Sequence, residues 1–259
     1  MSNVREKLWI WGHEAGSHNT YKGLAKPSRM TPAEGAFYMG LPNLILVRYD
    51  GKPQPPFDQS AIAFRPLQQV VWSIVGAGGA SEREEVQQVV ALSKRFPNIT
   101  GAMMDDFFRP SPKPAVYTPE ELAGFRRQLH NAERPLDLWV VLYAHQLALP
   151  IREHLRQCDV VAFWTWTEAE LVHLEENMDR AEKLKGSARV VLGCYLYDYG
   201  ADKPMPVSSM QRQCELGLRW LKEGRIAGMI FLASCICDLE LPAVEWTRRW
   251  IDHVGGEEL

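Results

Sequence analysis

The stretch DVVAFWTWTEAELVHLEENMDRAEKLK (159–185) joins two patterns that together decide the fold. Its first eight residues (159–166) form a mainly apolar run, which is typical of a strand buried on both faces of a parallel sheet. The remainder (167–185) has the spacing of an amphipathic helix, and Thr167 and Glu170 stand at capping-box spacing. The stretch therefore predicts one strand followed by one helix.

The same unit recurs along the chain. Each of eight apolar runs is followed by a polar loop and then by an amphipathic segment, as expected for alternating strands and helices. The eight predicted strands are KLWIWG (7–12), NLILVRY (43–49), QQVVWSIV (68–75), ITGAMMD (99–105), LDLWVVLYA (136–144), DVVAFWTW (159–166), ARVVLGCYLY (188–197) and IAGMIFLAS (226–234).

Helix boundary signals support this repetition. SEREEVQQVVALSKRF (81–96) begins with Ser81 as the predicted N-cap, and Glu84 completes a capping box. TPEELAGFRRQLH (118–130) has Thr118 as its cap and proline at the first helical position. Two later helices are predicted to end at glycine, 207–224 at Gly224 and 243–256 at Gly255.

Length and composition fit one globular domain. The chain has 259 residues, of which 46% are hydrophobic and 24% are charged. Eight strand-then-helix units in this length match a barrel, whereas an open dinucleotide-binding sheet would carry a G-x-G-x-x-G turn that the sequence lacks. We therefore predict an α/β protein with a single (β/α)8 TIM barrel domain over residues 1–259.

The charge and the cysteine content limit which partners and which compartment the sequence is compatible with. The formal charge of −3 gives no electrostatic footprint for nucleic acid, and no apolar run has the length of a membrane span. The first residues lack the apolar core of a signal peptide. We expect a cytoplasmic protein that binds neither nucleic acid nor membranes, and the sequence leaves its oligomeric state open. An odd number of cysteines predicts buried, reduced thiols at Cys158, Cys194, Cys214, Cys235 and Cys237.

A barrel of this kind holds its site at the carboxyl ends of the strands. The side chains predicted to bind substrate there are His13, Glu14, Arg48, Asp50, Tyr143, His145, Trp164, Trp166, Tyr195 and Asp198, beside the candidate catalytic pair Asp105 and Asp106. His18, Tyr49 and Tyr199 also follow strand ends.

The pair Asp105 and Asp106 ends the fourth strand between Met104 and Phe107. Two close carboxylates in apolar surroundings have separated pKa values, which leaves one protonated acid beside one charged partner near neutral pH. Cleavage of a glycosidic bond needs such a pair. The alternative is structural, with one aspartate capping the next turn and the other pairing with Arg109.

Tryptophans in the strand segments agree with a sugar site. Indole rings stack on the apolar faces of sugars, and nearby polar groups bind the hydroxyls. We expect Trp9 and Trp139 to serve core packing, and Trp164 and Trp166 to stand close to substrate because they lie near the end of their strand.

The segment MMDDF (103–107) resembles the fourth strand of substrate-assisted N-acetylhexosaminidases of the O-GlcNAcase type. More broadly, the sequence resembles glycoside hydrolases built on barrels. The resemblance implies that Asp105 orients and polarises an acetamido group of the substrate and that Asp106 is the general acid. It implies a small-molecule or oligosaccharide substrate, with no cofactor and no metal ion.

Other functions stay open at this point. A catalytically inactive carbohydrate-binding barrel would keep the tryptophans but would not need a desolvated carboxylate pair. Arg48 and Arg109 allow recognition of an acidic sugar, unless they pair with neighbouring aspartates. A divalent-metal sugar isomerase or metallohydrolase would draw its ligands from His13, Glu14, Asp50, Asp105, His145 and Asp198.

Overall fold

The computed structural model describes residues 2–82, 84–110 and 113–259, and Arg83 of the predicted helix 81–96 lies outside this range. Eight parallel strands form a closed barrel, which confirms the predicted (β/α)8 fold. The strands are β1 (Leu8–Gly12), β2 (Asn43–Leu46), β3 (Gln69–Val75), β4 (Ile99–Met104), β5 (Asp137–Tyr143), β6 (Val160–Trp164), β7 (Arg189–Tyr195) and β10 (Gly228–Leu232), with the short hairpin β8 (Tyr197–Asp198) and β9 (Lys203–Pro204) after β7.

Each barrel strand pairs with its neighbours in the chain, and β10 closes the barrel by pairing with β1. The helices on the outside are α1 (Pro32–Met39), α2 (Asp58–Ala63), α3 (Glu85–Arg95), α4 (Pro119–His130), α5 (Arg152–Leu155), α6 (Leu174–Leu184), α7 (Val207–Lys222) and α8 (Pro242–Val254). Among the described residues, no helix is long and apolar enough to cross a membrane. All five cysteines are buried and unpaired.

One predicted helix start is confirmed and two are wrong. Thr118 caps α4 in a full capping box with Glu121. Ser81 does not cap α3, because its hydroxyl donates to the Ile74 carbonyl at 3.0 Å. Thr167 makes no side-chain cap either, and a 3-10 helix (Glu168–His173) precedes α6.

Two pairs of tryptophans fill the barrel interior. Trp9 on β1 meets Trp139 on β5 edge to face, with ring centroids 5.2 Å apart. Trp11 on β1 meets Trp164 on β6 in the same way at 5.3 Å. Neither pair comes from neighbouring strands, so each contact crosses the inside of the barrel. The prediction that Trp9 and Trp139 serve core packing agrees with this position.

Glycines on adjacent strands make room for these rings. Gly193 on β7 is the register partner of Trp164, and a Cβ atom at Gly193 would lie 2.0 Å from Cδ2 of that indole. A Cβ atom at Gly101 on β4 would lie 2.8 Å from Nε1 of Trp139. Large and small residues therefore alternate around the interior, which is how a closely packed barrel core is filled.

We expect Gly193→Ala to lower the free energy of unfolding by about 1–3 kcal/mol, because the added methyl group has no space beside Trp164. Urea unfolding followed by circular dichroism measures the change. Gly256→Ala is the matched control, since an added Cβ there meets no atom within 4 Å. Equal stability of the two variants would contradict this account of the packing.

Candidate functional site

The carboxyl ends of the barrel strands surround a narrow cavity of about 80 Å³. Its floor consists of Trp11 and Trp164, and Leu232 on β10 closes one side. The structure brings seven of the predicted site residues together here, namely Asp105, Asp106, His13, Tyr143, Trp164, Trp166 and Tyr195. The cavity is therefore the candidate active site.

The two aspartates reach the same cavity because the chain turns sharply between them. Asp105 continues the strand pairing, and its backbone N–H donates to the Val75 carbonyl at 2.9 Å. Consecutive strand residues would point to opposite faces. Asp106 instead has φ of 44°, in the left-handed region, so its side chain also faces the cavity.

Burial separates the two carboxyl groups. Asp105 is 5% exposed, and burial together with the charge of Asp106 raises its pKa well above the ordinary range. Asp106 is half-buried. The raised pKa falls on the residue that the resemblance makes the polariser of the acetamido group, because the Asp105 side chain lies deep in the cavity. Burial and the neighbouring carboxyl group therefore favour the protonated form of Asp105.

Fixed hydrogen bonds hold Asp106. The Tyr143 hydroxyl donates to its Oδ1 at 2.9 Å, and the backbone N–H of Gly78 donates to its Oδ2 at 2.7 Å. Arg109 does not pair with either aspartate in this arrangement. Its guanidinium donates to the Gly78 carbonyl at 3.0 Å and so secures the loop that contacts Asp106.

His13 is a neutral, fixed imidazole. Trp11 Nε1 donates to its Nε2 at 3.0 Å, so Nδ1 carries the proton and donates to the Val47 carbonyl at 3.0 Å. Burial lowers the pKa of His13 to about 4. Because both ring nitrogens of His13 form hydrogen bonds, the orientation of its ring in the cavity wall is fixed.

His18 is the second buried imidazole of the cavity. Its Nδ1 lies 2.9 Å from the Tyr199 hydroxyl, and burial beside His13 lowers its pKa to about 2. Burial also raises the pKa values of Tyr143, Tyr195 and Tyr199 well above the ordinary range, so their hydroxyls stay protonated. Burial thus favours the neutral forms of both imidazoles and of these three hydroxyls.

The aromatic rings form a continuous wall. Trp166, which is 37% exposed, stands edge to face against Tyr143 at 5.5 Å and against Tyr195 at 5.8 Å. The contacts continue from Tyr195 to Tyr199 at 5.4 Å and from Tyr199 to His18 at 5.0 Å. The aspartates stand at the end of this wall, next to Tyr143.

Arg48 and Asp198 do not belong to the cavity. The Arg48 guanidinium makes an ion pair with the buried carboxylate of Glu85 at the start of α3. Asp198 is buried and accepts the backbone N–H groups of Glu168 and Ala201, each at 3.0 Å. It thereby caps the 3-10 helix Glu168–His173, at the place where Thr167 was predicted to cap a longer helix. Both side chains serve the structure of the loops.

Three other predicted residues lie outside the cavity. His145 is exposed and stacks on the outer side of the site against Tyr143, with ring centroids 5.4 Å apart. Glu14 and Asp50 line a separate groove. Asp50 is exposed with φ of 49°, in a tight turn closed by Tyr49 and Lys52.

Sequence reasoning missed several cavity residues. Trp11 stands two residues before His13, and this spacing would have placed both on the inner face of β1. His18, Tyr49 and Tyr199 follow strand ends, but the sequence does not indicate that their side chains line the site. Tyr21 comes from the irregular loop after β1, where no periodic pattern indicates the direction of a side chain.

Comparisons with known proteins agree on the fold. No protein-family model and no curated protein matches the chain. Active domain 2 of a chitinase from Pyrococcus furiosus, solved as catalytic-site mutants with chito-oligosaccharides, has a TM-score of 0.62 at 13% identity and covers 100% of this chain and 98% of its own.

Proteins with other functions are similar as well. A xylanase and α-amylase inhibitor protein solved with trehalose has a TM-score of 0.60 at 12% identity, covering 96% of this chain and 98% of its own. The tryptophan synthase α-subunit of Pyrococcus furiosus has a TM-score of 0.54 at 12% identity, covering 98% and 99%. At these identities the likeness shows the barrel fold alone.

The low pKa of His18 gives the protein a defined response to acid. The unfolded chain binds a proton at His18 more readily than the folded chain, so stability falls as the pH drops below about 6.5. Between pH 6.5 and 5.0 we expect His18 to account for a loss of about 1.6 kcal/mol in the free energy of unfolding.

Urea unfolding at the two pH values measures the total loss, to which His13 also contributes, and His18→Gln should reduce it by the share of His18. His253→Gln is the control, because that histidine is exposed on α8. A His18→Gln protein with the full pH dependence of the wild type would show that another group causes it.

Proposed function

We propose that the protein is a glycoside hydrolase that uses Asp105 and Asp106 to cleave its substrate. The observation that carries the proposal is the pairing of a deeply buried and a half-buried carboxyl group in one aromatic cavity at the barrel mouth. Two carboxyl groups with different protonation states are the catalytic requirement of most glycosidases.

The proposed division of roles follows the resemblance of MMDDF. As long as no substrate is bound, burial favours the proton of the pair on Asp105. An acetamido N–H of the substrate that donates to Asp105 would favour its charged form, and the proton would then reside on Asp106. Asp106 is the more accessible of the two and gives this proton to the leaving-group oxygen.

Asp105 and Asp106 supply the proton transfers and the charge stabilisation that the proposed reaction needs. As the bond between the anomeric carbon and the leaving oxygen breaks, the acetamido oxygen of the substrate attacks the anomeric carbon. Asp105 stabilises the positive charge of the resulting ring. A water molecule then attacks the anomeric carbon and opens this ring, and Asp106 takes the proton of that water, so that the pair again holds one proton.

The cavity walls suit a sugar. Trp164 is 1% exposed and lines the cavity. Trp166 and Tyr195 offer ring surface for the apolar face of a sugar.

The electrostatics favour a neutral sugar over an acidic one. Arg48, the predicted anchor of an acidic substrate, is neutralised by Glu85. The cavity lining contains carboxyl groups, aromatic rings and imidazoles that burial keeps neutral. We therefore propose a 2-acetamido sugar as the bound residue.

The side chains that a divalent-metal site would use as ligands are already engaged in hydrogen bonds or lie apart. His13 uses both ring nitrogens, and Asp198 accepts two backbone N–H groups. Within the described part of the chain, no group of three or more His, Cys, Asp and Glu side chains is arranged to hold a metal ion. A carbohydrate-binding barrel without activity would gain nothing from burying Asp105 next to another carboxylate.

A screen of aryl glycosides tests the proposal directly. We expect hydrolysis of an aryl N-acetyl-β-glucosaminide in the presence of EDTA, and little hydrolysis of the matched glucuronide. The chitinase neighbour solved with chito-oligosaccharides motivates the choice of sugar. Activity that EDTA abolishes and one divalent metal restores would favour the isomerase or metallohydrolase class instead.

Asp106→Asn should lower kcat by about 10²–10⁴-fold on glycosides with poor leaving groups, because these need protonation as they depart. The loss should shrink for an activated aryl leaving group. The measurement is kcat for a series of aryl glycosides whose phenols differ in pKa. A loss independent of the leaving group would contradict the assignment of Asp106 as the general acid.

Asp105→Asn should impair good and poor leaving groups alike, because orientation and charge stabilisation of the acetamido group are needed in both cases. Asparagine keeps the oxygen that accepts the Asp106 N–H, a bond of 2.9 Å, so the variant should fold. If Asp105→Asn instead shows the leaving-group dependence, the two roles are exchanged. Unfolding of both variants would favour a structural role for the pair.

A further inference from the structure

The loop that follows β3 reads GAGG (76–79) and contacts Asp106 through its backbone. We call this segment the glycine loop. Ala77 lines the cavity, and the backbone N–H of Gly78 donates to Oδ2 of Asp106 at 2.7 Å. The loop has no side chain that could take part in chemistry, so its contribution to the site comes from its backbone.

Two glycines give the loop a shape that other residues would not keep. Gly78 has φ of 71°, in the left-handed region that residues with a Cβ atom rarely adopt. Gly79 has φ of 70°, and a Cβ atom there would collide with the guanidinium group of Arg109. The N–H of Gly78 is therefore directed at Asp106 only while the loop keeps this conformation.

Contacts on both sides hold the glycine loop in place. On the side of β2, the backbone N–H of Ala77 donates to the Arg48 carbonyl at 2.9 Å. On the side of β4, the Arg109 guanidinium donates to the carbonyls of Gly78 at 3.0 Å and Gly79 at 3.4 Å. Arg109 stands three residues after Asp106, so the segment that carries the carboxylate also carries the side chain that holds the loop against it.

The two oxygens of Asp106 have partners of different kinds. Oδ1 accepts the hydroxyl of Tyr143, and Oδ2 accepts the N–H of Gly78. A hydroxyl can donate or accept, so the hydroxyl of Tyr143 tolerates a proton on Oδ1. A backbone N–H can only donate, and the carbonyl oxygen of a protonated carboxyl group accepts it better than the hydroxyl oxygen does. The contact with Gly78 therefore favours the proton of Asp106 on Oδ1.

We propose that the glycine loop and Arg109 fix Asp106 so that Oδ1 carries the proton that goes to the leaving group. This inference rests on the proposed hydrolase function. As the bond between the anomeric carbon and the leaving oxygen breaks, the proton passes from Oδ1 to that oxygen. Oδ2 keeps its hydrogen bond to Gly78 before and after the transfer. Arg109 is a positioning residue, because it acts through Gly78 without pairing with either aspartate.

Arg109→Ala should lower kcat by about 2- to 10-fold on aryl glycosides with poor leaving groups, the worth of one hydrogen bond, and leave KM unchanged. The loss should shrink for activated leaving groups, which need little protonation. Arg109→Lys keeps a donor and should recover part of the loss. Arg249→Ala is the control, since that arginine is exposed on α8. A loss that does not depend on the leaving group, or no loss relative to the control, would overturn the inference.

Gly78→Ala and Gly78→Asn test the conformation of the loop. A Cβ atom at Gly78 meets no atom within 4 Å, so the first atom of either side chain has room. Asparagine adopts the left-handed conformation more readily than alanine, so Gly78→Asn should keep the higher kcat on poor leaving groups. Urea unfolding shows whether both variants are folded. Equal kcat values for the two folded variants would overturn the role of the loop conformation.

Solvent exchange of the Gly78 amide proton, measured by NMR, tests the contact without catalysis. Arg109→Ala should speed this exchange by about 2- to 10-fold, and Arg249→Ala should leave it unchanged. Unchanged exchange in Arg109→Ala would overturn the positioning role of Arg109. Hydrolysis by the wild type with the same leaving-group dependence in Arg109→Ala would overturn the inference and leave the hydrolase function standing. A wild type without any hydrolysis would overturn the hydrolase function and the proton transfer from Oδ1 together.

Discussion

Packing of tryptophan against tryptophan across the barrel is the constraint on which the rest of the structure depends. The pair Trp9 and Trp139 fills the lower interior, and the pair Trp11 and Trp164 above it carries the site. The upper pair also sets the chemistry, because Trp11 fixes the tautomer of His13. The same tryptophan contacts therefore determine both the core packing and the geometry of the site. Gly193 contributes to both because it makes room for Trp164.

Burial then decides which groups in the site carry charge. The cavity contains two carboxyl groups and two imidazoles, and burial favours the neutral forms of Asp105, His13 and His18. Asp106 remains in contact with solvent and is held by Tyr143 and Gly78. A carboxyl pair in a cavity whose other polar groups are neutral stabilises a nearby positive charge strongly once one of the two carboxyl groups is ionised.

The sequence predicts the barrel because strand and helix signals are local and repeat eight times. It also predicts the position of Asp105 and Asp106, since every strand of such a barrel ends at the same face. It fails where the partner is distant in the chain. Arg48 forms an ion pair with Glu85, which lies 37 residues away in the sequence. Asp198 accepts the N–H of Glu168, which lies 30 residues away. No local sequence pattern indicates a hydrogen-bond partner that lies so far away in the chain.

The burial of all five thiols has a practical consequence. Burial raises the pKa of each cysteine, so the reactive thiolate is scarce as well as inaccessible in the folded barrel. An alkylating reagent then modifies the protein at the frequency with which segments around Cys158, Cys194 or Cys214 open to water. Mass spectrometry of the alkylated chain can therefore compare how often each of these segments opens, without any introduced label.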